Sequence, residues 1–210
     1  MANMIRIAVL DSARDSLRRL GQALSSEDPL ALKGALEWGW HAVALLAYVR
    51  LRPHREEFDA WIREYLEVGD PVLDVERDAR WESRQRLSSL ELLDLMSDPS
   101  LPMLKPEFYQ GWQERSSRCR VLRQRVAGII GASITAAQQE RLLTLLAAYH
   151  RLVRLPADVT FQPEQVQDAL PALTHLLRML VEPSQQGSLE LISEIDHCDE
   201  QMSRWTAGRP

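Results

Sequence analysis

Glu37 and His41 stand four residues apart in ALEWGWHAVALLAYVRLRPHREEFDAWIREYL (residues 35–66), a stretch that also holds Trp38, Trp40, Trp61, Tyr48 and His54. On a helix, that spacing sets a carboxylate one turn from an imidazole, where it can orient or charge the ring. The sharper expectation is a binding pocket lined by Glu37, His41 and Tyr48, with Trp40 at its edge and His54 at the following Pro-His turn. The plainer one, which we favour, is a solvated Glu–His pair on the outer strip of a core helix. Trp38 and Trp61 share stripes with Leu and Ala and are read as core.

Two other patterns could carry chemistry. Glu194-Ile-Asp-His197 has the Glu-x-x-His spacing of carboxylate-bridged di-metal bundles. That centre needs a second such motif, which the chain lacks, and Asp196, Asp199 and Glu200 make a solvated acidic face the better reading. No metal or other cofactor is therefore assigned. The helix expected over 106–131 carries Arg118, Arg120, Arg123 and Arg125 beside a stripe of Cys119, Leu122, Val126, Ile129 and Ile130. Those arginines could face RNA or a nucleotide's phosphates. They could equally lay their stems over the helix's own apolar margin. Only Lys33 and Lys105 are lysines among 25 basic residues, a skew that reads as coding bias and weakens the case for arginine chemistry. There is no Gly-x-Ser-x-Gly elbow and no Gly-rich phosphate loop, so no catalytic residue is assigned.

The elements that would position these residues are helical throughout. Asp28-Pro29 and Asp70-Pro71 place a capping acceptor before a proline at a first helical position. Thr135-Ala-Ala-Gln138 has the spacing of a capping box. Stops fall at Pro53, Gly69, Pro99, Gly131, Pro156 and Pro183. No segment sustains two-residue alternation, so no sheet is expected. The spacing predicts helices near 3–25, 29–51, 55–68, 76–97, 106–131, 136–154, 163–181 and 188–206, with Pro171 kinking or splitting the seventh. In 29–51 the apolar arc is too wide for a surface helix, and Ala31, Ala35, Gly39 and Ala42 would admit a close neighbour.

Hydrophobic residues at 45% and charged residues at 26% are ordinary for a globular chain. No apolar run approaches the roughly 20 residues that span a bilayer, so no membrane is expected. The opening MANMIRIAVLDSARDSLRRLG has no convincing cleavage site, and the two cysteines fit neither a disulfide framework nor a zinc motif. We expect a cytoplasmic protein. A net charge of −5 argues against a whole-surface nucleic-acid binder and makes DNA an unlikely partner. Charge is segregated: residues 107–155 hold eight Arg against three Glu, and residues 156–200 nine acids against one Arg. This predicts that the C-terminal helices fold back over the Arg-rich helix.

Residues about 8–131 resemble the HEPN superfamily, the higher-eukaryote and prokaryote nucleotide-binding helical domain. The matching features are the amphipathic ARDSLRRLGQAL, an Asp-Pro turn and the Ala-rich ALKGALEWGWHAVALLAYVRL. After them come RPHREEF, AWIREYL and the long EFYQGWQERSSRCRVLRQRVAGII. The resemblance implies a bundle of about five helices, here extended by two to three C-terminal helices. It also implies a tendency to dimerise, and one of three roles: toxin ribonuclease, nucleotide-binding partner or catalytically silent interaction module. Nucleolytic members carry an Arg, four to six residues, then a His at the start of the last bundle helix. Here no His lies between His54 and His150, and Arg50…His54 has only three intervening residues at a turn where the family has no catalytic pair. The resemblance transfers no catalytic site.

The expected organisation is an all-α chain with a HEPN-like bundle over 1–131 and an extension over 132–210 packed on it as one compact unit. The expected function is non-enzymatic binding of a protein partner or nucleotide, as a homodimer. A divergent HEPN ribonuclease or toxin–antitoxin component acting on RNA is the alternative, and a metal-dependent helical oxidoreductase ranks third.

Overall fold

The computed structural model describes residues 8–26, 28, 30–51, 54, 89–102, 112–154, 163–184 and 187–207. Seven α-helices occupy most of them: α1 (Val9–Leu24), α2 (Ala31–Leu51), α3 (Ser89–Met96), α4 (Trp112–Ile130), α5 (Ala136–Tyr149), α6 (Pro163–Leu180) and α7 (Ser188–Ala207). The chain is all-α, as its periodicity predicts. A single π-helical turn, His150–Arg154, follows α5. Among the described residues no helix is long and apolar enough to cross a membrane. The helix expected over 55–68, with Trp61, and most of the one expected over 76–97 lie outside the described residues.

Helix ends follow the expected chemistry. Asp28 Oδ1 accepts the Leu30 N–H at 2.7 Å and its carbonyl accepts the Ala31 N–H at 2.9 Å, opening α2. Before α5 the capping box closes both ways: Thr135 Oγ1 accepts the Gln138 N–H at 3.4 Å, and Gln138 Oε1 accepts the Thr135 N–H at 2.9 Å. Gly131 ends α4 with φ +83°, a left-handed conformation that a Cβ would strain. Pro171 does not split α6, which runs unbroken to Leu180; the Thr174 hydroxyl donates back to the Pro171 carbonyl at 3.1 Å.

The chain divides into two compact units, Met1–Arg50 with Glu140–Pro210, and Leu51–Gln139. This cuts the chain differently from a division at 131, because the first and last segments share a unit. In that unit α7 lies along α1. The pairs Arg14–Glu190 and Arg18–Glu194 advance together in sequence, so the two helices run parallel. Side chains of α7 close on α1 at Gly21, where an added Cβ would sit 3.2 Å from the His197 ring. α2 returns antiparallel to α1, with Ser16 meeting His41 and Arg19 meeting Trp38. It also meets α6 at Gly39, where a Cβ would come within 2.5 Å of Leu173 Cδ2. That is the close approach its small residues predict. Leu17, Leu20, Leu36, Leu173 and Ile195 are fully buried here.

In the second unit α3 packs on α4. One parallel bridge joins Ser97 to Ile134: the Ile134 N–H donates to the Met96 carbonyl at 2.8 Å and the Asp98 N–H to the Ile134 carbonyl at 2.9 Å. The buried Ser97 hydroxyl donates to the Leu93 carbonyl at 2.6 Å and accepts from Gln139 Nε2 at 2.7 Å.

Candidate functional site

The outer strip of α2 is where the helical wheel puts it. Lys33, Glu37 and His41 are exposed, and Tyr48 is half-buried. The two tryptophans exchange their expected places. Trp40 is 2% exposed and belongs to the core, whereas Trp38 is half-buried at the edge of the strip. The reason is positional. Trp40 continues the buried row Leu32, Leu36, Val43 and Ala47, while Trp38 sits one residue from Glu37 on the margin of the apolar arc. His54 is half-buried and belongs to the other unit.

What gathers around His41 comes from α1. The Trp38 and His41 rings meet edge to face with centroids 6.0 Å apart. The Arg19 guanidinium lies 4.6 Å from the Trp38 ring centroid, a cation–π contact worth about 0.5–1 kcal/mol at an exposed position. Arg19 Nε also donates to Asp15 at 2.8 Å, one turn back. His41 takes its partner from across the helix pair: its Nδ1 lies 2.8 Å from the buried Ser16 hydroxyl.

The hydroxyl's geometry sets the tautomer of that histidine. Ser16 Oγ is 2.8 Å from the Ser12 carbonyl, which can only accept, so the single hydroxyl proton goes there. His41 Nδ1 must then carry a proton and donate it, leaving Nε2 as the basic nitrogen. In this arrangement the imidazole does not activate Ser16 as a nucleophile. Imidazole nitrogen shifts from NMR are expected to show the Nδ1–H form for His41 near pH 8 and its loss in Ser16→Ala. A wild-type ring in the Nε2–H form would mean that the serine donates to the imidazole, and would favour an enzyme.

The arginines of α4 divide. Arg120 and Arg125 are exposed, but Arg123 is 1% exposed and is no part of a basic surface. It lies on the same buried side as Leu122, Val126 and Ile130. Its Nη2 donates to Asp94 Oδ1 at 2.7 Å and to the Pro102 carbonyl at 3.1 Å, and its Nη1 to the Leu101 and Asp98 carbonyls at 2.5 and 3.3 Å. A paired carboxylate and three carbonyls make burial of this cation tolerable. In the same loop, hydrogen bonds from the Ser100 hydroxyl and N–H hold the Asp98 carboxyl below the usual range, with a smaller pull from Arg123. The side chain of Arg118 lies outside the described residues.

Four acids of α7 are paired within their own unit. Glu190 and Glu194 pair with Arg14 and Arg18 of α1, and Asp196 and Asp199 both pair with Arg178 of α6. They find partners on those helices. Glu194 of the Glu-x-x-His motif is thus engaged by a guanidinium, and His197 is exposed beside Gly21.

Cys198 is fully buried, its Sγ 3.4 Å from the Leu17 carbonyl. Burial first, and then the charges of Glu194 and Asp199, push its thiol up to about 12. An unfolded chain would release that proton near pH ~8.5. The folded state keeps the proton longer, so this group costs stability as pH rises from ~8.5 and goes on doing so up to the folded value. Chemical denaturation is expected to show a steeper alkaline loss of stability in the wild type than in Cys198→Ala. Equal slopes would show that the thiol does not titrate differently in the two states.

Sequence reasoning missed Ser16, Arg19 and the interior role of Arg123. The first two carry no motif, and only the crossing of α1 over α2 brings them to His41 and Trp38. A polar Ser16 inside the row Ala13, Leu17 and Leu20 was the one available signal. No family model, curated protein or solved structure matches the chain.

Proposed function

We propose that this chain is a non-enzymatic, HEPN-like helical protein that binds a protein partner, a second copy of itself first of all, through the outer face of α1 and α2. The observation that carries the reading is the surface cluster of Arg19, Trp38 and His41, held on two packed helices. Trp and Arg are the residue types that dominate binding hot spots, and side chains already fixed lose little freedom on docking. Asp15 and Glu37 interleave with Arg19 and Lys33 on this face, a mixture that suits a protein surface better than a nucleotide's phosphates.

Sedimentation velocity on the full chain tests this. A dimer is expected in the micromolar range, and Trp38→Ala should weaken association by at least about tenfold, the minimum for an interface residue worth ~1.4 kcal/mol. Circular dichroism should be unchanged in that variant. A wild-type monomer at every concentration would remove the homodimer, and unchanged association in Trp38→Ala would remove this face.

The exposed Arg120 and Arg125 on α4 favour one second reading, an RNA-acting protein. Cleavage of single-stranded RNA that is lost in His41→Ala or His54→Ala would put that reading first.

A further inference from the structure

No further inference is drawn: the strongest candidate, the open concavity lined by Leu10, Asp11, Arg14, Gly187 and Glu190 where the N-termini of α1 and α7 lie side by side, carries nothing because its one cation is already paired with Glu190 and two helix N-termini without an independent sign of a ligand do not make a site.

Discussion

Arg123→Ala is expected to destabilise the unit built from α3, α4 and the start of α5 by about 3–5 kcal/mol, the usual cost of breaking a buried ion pair from one side. The side chain is 1% exposed and donates to the Asp94 carboxylate and to the carbonyls of Asp98, Leu101 and Pro102. Removing it takes the guanidinium from the buried side of Asp94 and leaves the Leu101 and Pro102 carbonyls to find another donor. Lysine should rescue little, because one ammonium cannot reproduce a planar fork that binds four oxygens. Replacing the pair with apolar residues, as in Arg123→Met with Asp94→Leu, can rescue buried ion pairs elsewhere. It should not do so here, since the Leu101 and Pro102 carbonyls lose the Arg123 donors while the Asp98 carbonyl keeps the Leu101 N–H. Urea denaturation of the three variants measures all of this. A loss below ~1 kcal/mol in Arg123→Ala would mean that the loop from Asp98 to Pro102 is solvated without it.

That arginine also shows where sequence reading stops. The helices were legible because caps, prolines and Gly131 act locally. Asp28, the Thr135–Gln138 box and the glycine at φ +83° each do what their spacing predicts. Partners at long sequence separation were not legible. Five arginines on one helix look equivalent until α3 arrives beside Arg123 with Asp94, and the loop after it with the carbonyls of Asp98, Leu101 and Pro102. The acids of α7 looked complementary to those arginines because the two blocks are near in sequence. Within its own unit α7 pairs Glu190 and Glu194 with Arg14 and Arg18 of α1, 176 residues away, partners that no local pattern announces. Trp38 and Trp40 exchanged places for a smaller reason: they are two residues apart on an arc so wide that either could mark its edge. The candidate site was half legible, Glu37, His41 and Tyr48 being set by α2 alone. Its α1 half, Ser16 and Arg19, required the helix crossing.

The largest effect expected is from truncation after residue 132. In that fragment α1 loses α7, and α2 loses α6. Leu17 and Leu20, fully buried in the whole chain, would lose the helix that α1 lies along, and α2 would lose Leu173 of α6 from its approach at Gly39. Full burial of a Leu or Val side chain is worth about 1.5–3 kcal/mol. Losing much of it at even four positions rivals the ~5–15 kcal/mol that holds a whole domain. The second unit is damaged too, since Ile134 and Gln139, which pair with the segment around Ser97, lie beyond the cut. The fragment should therefore be insoluble or molten, with helical circular dichroism reduced, no cooperative thermal transition and strong binding of a hydrophobic dye. Co-expressed fragments 1–51 and 140–210 should instead copurify, because together they contain the elements of the first unit. A soluble fragment 1–132 that unfolds cooperatively at the full-length temperature would show that the N-terminal helices have a core of their own, and failure of the other two fragments to associate would refute the parallel packing of α7 on α1 as the first unit's main support.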